Sequence, residues 1–177
     1  MTEKNDTSML TEKYIFRNIR QEEIAQTSEI EKICFPPNEA CSYEHMEDRV
    51  KKAPELFLVA EDRATGKIAG FLNGLATDRE HLTDDFFTDA EMHDPKGKNI
   101  MLLGLDVLPE YQHQGLAREL VRCYKEREKA NGREKLILTC LPDKVEMYQK
   151  FGFKDHGIGD SVWGGEAWHE MSVELWG

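Results

Sequence analysis

The 177-residue chain predicts a mixed α/β domain, with a central sheet of about six to seven strands and helices on both faces. Three observations carry this. Strand-like and helix-like periodicities alternate along the chain. One run, Asn99 to Val107, is almost wholly apolar, as a strand covered on both faces requires. No repeat, low-complexity tract or linker interrupts the pattern, and the length suits one core.

The elements follow in order. Residues 1–12 read as a flexible leader and residues 13–177 as one domain. Lys13 to Ile19 alternates apolar and polar residues, as a strand does. Gln21 to Cys34 places Ile24, Thr27, Ile30, Ile33 and Cys34 at helical spacing. Pro36 and Pro37 end that helix, because proline disfavours helical backbone in the residue before it. Ser42 is a helix cap, and the second helix runs to about Lys52 before Pro54. Leu56 to Glu61 and Lys67 to Leu75 form a hairpin around Thr65-Gly66. Thr77 to Asn99 is a long acidic connection with a short helix near Thr83 to Phe87, capped by Thr83. A connection of that length in a compact domain has a function or moves. The buried strand Asn99 to Val107 follows. Leu116 to Asn131 is a helix with Leu116, Leu120, Val121 and Tyr124 on one face, and Gly132 stops it. Lys135 to Cys140 is a second buried strand. Val145 to Phe151 is a short helix stopped by Gly152. A strand from Phe153, a glycine-rich loop from Gly157 to Gly165 and a strand from Ala167 to Leu175 complete the chain.

Composition excludes some classes. Net charge is −11, so no basic footprint for nucleic acid is present. An acidic surface keeps the chain soluble and draws cationic molecules such as amines. No apolar run reaches the roughly 18 residues of a membrane helix, and no signal peptide is visible, so no membrane is implied and the cytoplasm is the default compartment. Cys34, Cys41, Cys123 and Cys140 form no CxxC pair, and the six histidines show no ligand spacing. No metal site is expected, and the thiols are expected to be reduced.

The chemistry concentrates after the buried strand. A turn, Leu108 to Tyr111, leads through Gln112-His113-Gln114-Gly115-Leu116-Ala117 into a helix. The first N–H groups of a helix lack internal partners and lie at the positive end of its dipole. A pyrophosphate fits there if the backbone comes close, which the small Gly115 and Ala117 permit. Neither GxGxxG nor GK[ST] is present, so Rossmann and Walker loops are excluded. With Gln112, Gly115 and Ala117 in place, the segment resembles the signature of the GNAT superfamily of acetyltransferases. Tyr148-Gln149-Lys150-Phe151-Gly152-Phe153 resembles that superfamily's second landmark. Within it, the chain is similar to the arylalkylamine (serotonin-type) N-acetyltransferase branch from Ile19 to Leu175. That likeness rests on Glu29-Ile30-Glu31 with Phe35, Ala53-Pro54-Glu55-Leu56, Arg79-Glu80-His81-Leu82-Thr83, Met147 to Phe153 and Glu170-Met171.

The resemblance implies the GNAT (acyl-CoA N-acyltransferase) fold and acetyl-CoA as co-substrate. It implies direct attack of a small primary amine, arylalkylamine- or polyamine-like, on the thioester. Leu105, Asp106 and Val107 would hold the pantetheine, and Gln112, His113, Gln114, Gly115, Leu116, Ala117 and Arg118 the pyrophosphate. Tyr148 matches the tyrosine that protonates the leaving thiolate. The branch's two histidines are replaced by Leu103 and Leu108, which accept no proton. Glu39 stands where insect members carry a glutamate base, and Asp106 and His113 are alternatives. Phe35, Tyr43 and Trp168 would line the acceptor pocket, with ordinary packing the alternative for each. A protein N-terminus, lysine or antibiotic amine as acceptor remains open, as does a non-catalytic acyl-CoA-binding domain, and monomer and homodimer are equally compatible.

Overall fold

A computed structural model describes residues 9–176. The strands are β1 (Tyr14–Asn18), β2 (Phe57–Asp62), β3 (Ile68–Thr77), β4 (Asn99–Val107), β5 (Lys135–Cys140), β6 (Lys154–Ile158) and β7 (His169–Glu174). The helices are α1 (Ile24–Cys34), α2 (Tyr43–Lys52), the one-turn α3 (Asp85–Thr88), α4 (Leu116–Ala130) and α5 (Val145–Lys150). The strands form one seven-stranded mixed sheet in the order β1-β2-β3-β4-β5-β7-β6. β4, the apolar run, lies at its centre.

β1 to β4 pair antiparallel, each with the next. β4 and β5 run parallel, joined by α4, because parallel neighbours need a crossover. Helices cover both faces. Successive strand residues point to opposite faces. Asn73 of β3 points to the side of Glu31 on α1, whereas a side chain on Gly74 would meet the Tyr124 hydroxyl of α4 at 3.1 Å. All ten residues of β3 are buried between these layers.

α4 docks as its spacing predicts. Leu116, Leu120, Val121 and Tyr124 are buried, and the Tyr124 hydroxyl donates to the Leu56 carbonyl at 2.9 Å. Burying each aliphatic side chain contributes about 1.5–3 kcal/mol. Ser42 caps α2, accepting the His45 N–H at 3.1 Å. Thr83 does not cap the short helix. Its hydroxyl donates to the Asp85 carboxylate, and Asp84 takes the cap position. The Asp84 carboxylate is itself held by Ser161 Oγ (2.5 Å) and the Val162 N–H (3.1 Å), which pulls the helix start onto the glycine-rich loop.

That loop contact explains why the 78–98 connection is ordered. The Glu170 carboxylate accepts the Leu82 N–H at 2.8 Å and pairs with His81 at 2.9 Å, and Asn99 donates to the Arg79 carbonyl at 2.9 Å. The leader expected over residues 1–12 lies outside the described residues up to position 8. Residues 9–13 are helical, with Leu10 buried. Among the described residues, no helix is long and apolar enough to cross a membrane, and no three His, Cys, Asp or Glu groups gather as metal ligands. The four cysteines are free thiols.

Candidate active site

The sheet opens where β4 parts from β5. The two strands pair only from Asn99↔Lys135 to Met101↔Ile137. Beyond that point they splay, and backbone polar groups on the facing edges lose their ladder partners. On the other side of β4 the register with β3 slips, so that Leu102 and Gly104 face Gly74 and Asn73 and Leu103 is the extra residue. Bulges of this kind gather beside active sites because they re-aim the strand. A cavity of about 720 Å³ fills the splay. Leu105 and Val107 of β4, Leu138 to Leu141 at the end of β5, and the start of α4 line it.

The turn before α4 is shaped for an anion. His113 and Gly115 both adopt left-handed backbone, at φ 62° and 82°. For histidine this conformation is uncommon and marks a constrained site. The amides of His113, Gln114 and Gly115 donate to no backbone carbonyl among the described residues, and the first bond into α4 is Glu119 N–H to the Gly115 carbonyl at 3.0 Å. The N–H groups of Leu116 and Ala117 therefore have no helical partner and point out of the helix start. Successive free amides around left-handed residues form an anion-binding concavity.

The expected cofactor residues divide by placement. Leu105, Val107, Gln112, His113, Gly115, Leu116, Ala117 and Arg118 line the cavity. Two side chains turn away from it. Gln114 accepts from Lys13 Nζ (2.9 Å) and the Tyr14 hydroxyl (3.0 Å). Asp106, only 1% exposed, points toward α1. Neither of these two lines the cavity. Gln112 Nε2 donates to the Val107 carbonyl at 3.0 Å, tying the turn to the end of β4.

Tyr148 lies on α5 across the splay, its ring edge-on to Phe151 and Phe153. Burial, then the nearby Cys140 and Asp106, raises its hydroxyl pKa, so the phenol holds its proton at neutral pH. Of the expected acceptor-pocket residues, Phe35 and Trp168 are on the wall, and Tyr43 is 45% exposed and off it. Glu39 is on the wall. Burial raises its carboxyl pKa, and the charges of Glu166 and Asp143 raise it further. Leu103 lines the cavity, whereas Leu108 is buried elsewhere in the core.

Several wall residues went unnoticed in the sequence. Phe87 stacks on Trp163 at 5.1 Å between centroids, and Trp163 Nε1 donates to the Glu39 carbonyl at 2.8 Å. Trp168 Nε1 donates to the Trp163 carbonyl at 2.8 Å. Two long loops, 35–42 and 157–168, are thereby joined into one aromatic wall. Glu31, Cys34, Cys41 and Arg49 also face the cavity. Burial pushes the Cys34 thiol up to about 11 and the Cys41 thiol up to about 12. Neither is a thiolate at neutral pH, so neither is poised as a nucleophile.

This geometry matches a known family. A model of the acetyltransferase (GNAT) family matches residues 24–153. A probable hydrolase, YhcX, of Bacillus subtilis is 27% identical over 158 residues. The match takes in 85% of this chain but only 30% of that relative's length. Among solved structures, the loading GNATL domain of CurA from Lyngbya majuscula superposes with a TM-score of 0.78 at 18% identity, over 92% of this chain and 98% of its own. The yncA protein of Salmonella typhimurium, solved with its cofactor acetyl-CoA, gives 0.63 at 15% identity, over 92% and 94%. A spermidine N-acetyltransferase SpeG chimera of Vibrio cholerae and hSSAT gives 0.66 at 16% identity, over 92% and 96%. With the family model covering well over half its length, the chain belongs to the acetyltransferase (GNAT) family.

Proposed function

We propose that the chain acetylates a small primary amine, arylalkylamine- or polyamine-like, by direct attack of the neutral amine on acetyl-CoA. One observation carries this reading. The β4–β5 splay joins an anion-binding helix start at one end to a cavity walled by aromatic rings and carboxyl groups at the other. Phe35, Phe87, Trp163 and Trp168 suit an aryl or alkyl body, and Glu31, Glu39 and Asp143 suit an amine. The likeness to the arylalkylamine branch and the spermidine acetyltransferase among the structural neighbours support the same acceptor class.

In this reading the amides from His113 to Arg118 take the pyrophosphate, and free N–H groups of β4 around Leu105 to Val107 hold the pantetheine and polarise the thioester carbonyl. Glu39, at the wall, is the base that carries the ammonium proton away to solvent. Tyr148 protonates the departing thiolate. No acyl-enzyme forms, consistent with the neutral thiols of Cys34 and Cys41.

A panel of acceptors tests this by the release of free coenzyme A thiol. Tryptamine, phenethylamine and spermidine represent the proposed class, and peptides with free N-termini or lysines represent the rival. Release with at least one small amine is expected. Release with peptides alone would overturn the acceptor class, and no release with any acceptor would indicate a binding domain.

A further inference from the structure

A group of buried polar atoms gathers around Gly104. Asn73 Nδ2, Asp106 Oδ1 and Glu31 Oε1 lie 3.2, 3.2 and 3.6 Å from the point a Gly104 Cβ would occupy. They converge on the bend of β4, where the strand enters the splay. Glu31 is 4% exposed and Asp106 1%, yet Glu31 faces the cavity. Glu31 Oε2 accepts the Cys41 N–H at 3.0 Å. No N–H or hydroxyl among the described residues reaches Glu31 Oε1 or either Asp106 oxygen. Two carboxylates in this setting repel each other and lie away from water. A single proton between them removes the repulsion and supplies the missing hydrogen bond.

We propose that Glu31 and Asp106 share one proton at neutral pH, and that Glu31, the member facing the cavity, takes the proton from the acceptor ammonium beside the thioester. Asp106 is a positioning residue that acts through Glu31. The proposal rests on the amine-acetylation reading and adds an inner station to the proton path, with Glu39 the outer one.

The step balances. The ammonium N–H bond breaks, and its proton joins the Glu31 carboxylate. The freed nitrogen lone pair forms the C–N bond as the C–S bond breaks. The nitrogen then loses a second proton as it becomes an amide, and that proton replaces the one Tyr148 gives to the departing sulfur. The proton on Glu31 returns to solvent by way of Glu39.

The surroundings support an inner base. Burial and the neighbouring Glu31 raise the Asp106 carboxyl well above the usual carboxylate range, so Asp106 keeps its proton. The other ionisable groups near the pair are Cys34 on α1, Cys41 in the following loop and Tyr148 on α5, and Arg49 on α2 lies near Cys41. The thiols are neutral. The Arg49 guanidinium, 3% exposed, donates one bond to the Phe87 carbonyl.

The test uses the full chain with acetyl-CoA and its best amine. Glu31→Gln keeps an acceptor for the Cys41 N–H but takes no proton. It is expected to lower kcat/KM about 100-fold at pH 7 with unchanged acetyl-CoA affinity, the loss shrinking as pH rises and free amine becomes abundant. Asp106→Asn still donates toward Glu31, as the protonated acid does, and is expected to keep kcat/KM within about fivefold. No loss in Glu31→Gln, or a loss equal at every pH, overturns the proposal, as does a collapse of Asp106→Asn to the Glu31→Gln level. Infrared difference spectroscopy needs neither activity nor a folded Glu31→Gln. A protonated-carboxyl C=O band is expected in the native protein at pH 7 and not in Asp106→Asn, and a native protein without the band overturns the shared proton. If no amine is acetylated, the reaction reading fails while the infrared result still decides whether the pair exists.

Discussion

Replacing Gly115 by aspartate separates the cofactor turn from the stability of the fold. Gly115 caps α4 with left-handed backbone, and an added Cβ would meet nothing closer than Leu10 Cδ1 at 4.0 Å. The cost is therefore conformational rather than steric. A non-glycine residue in this region costs about 1–2 kcal/mol, with aspartate among the residues that visit it routinely. A carboxylate at a helix start recovers about 0.3–1 kcal/mol from the dipole. A net cost of about 1 kcal/mol remains, and the melting temperature should fall by about 2–4 °C. Binding has no such compensation. A carboxylate about 5 Å from a pyrophosphate of about two charges, at an effective dielectric of about 40, repels it by about 3 kcal/mol. That weakens acetyl-CoA roughly 100-fold. Calorimetric titration reads the affinity and a thermal melt reads the fold. An unchanged Kd in a folded variant would remove Gly115 from the pyrophosphate site.

Further substitutions probe the chemistry. Tyr148→Phe should lower kcat about 100-fold and leave acetyl-CoA affinity in place, and an unaffected kcat would remove Tyr148 from the mechanism. Because the Glu39 carboxyl is raised, kcat/KM should fall as pH drops through that raised value, since a protonated carboxyl accepts nothing. Glu39→Gln should lose about tenfold at neutral pH and less at high pH, and a pH profile identical to the native one would refute its role. Asp106 has a folded-state pKa raised above its unfolded value, so its stabilising effect is complete below the unfolded value of about 3.9 and is lost as pH rises. Relative to the native protein, Asp106→Asn should gain about 1.4 kcal/mol per pH unit above that value until the native Asp106 ionises. Denaturant melts from pH 4 to 7 with a constant difference between the two proteins would contradict the raised pKa.

What could be read from the sequence was local. β4 and β5 appear with the expected bounds because their apolar runs need no partner to be recognised. The Gln112 to Ala117 turn and Tyr148 came from contiguous motifs. Thr83 misled because its hydroxyl binds the Asp85 carboxylate, and Asp84 at the helix start is held by Ser161 some 77 residues away. Tyr43 is aromatic, but its position at the first residue of α2 turns it to solvent. The wall formed by Phe87, Trp163 and Arg49 arises from segments that meet only in the fold. One signal for Glu31 was present. Ile24, Thr27, Ser28 and Glu31 share the buried stripe of α1, and an acid on the apolar face of an amphipathic helix requires a buried partner. The sequence places that acid, but only the fold brings Asp106 to it.

The central claim is direct transfer within a complex of acetyl-CoA and amine held in the β4–β5 splay. Initial rates measured across a grid of both substrate concentrations, with mass spectrometry of protein exposed to acetyl-CoA alone, test it most directly. Intersecting double-reciprocal lines and an unmodified chain are expected. Parallel lines, with an acetyl group retained on Cys34 or Cys41, would contradict it.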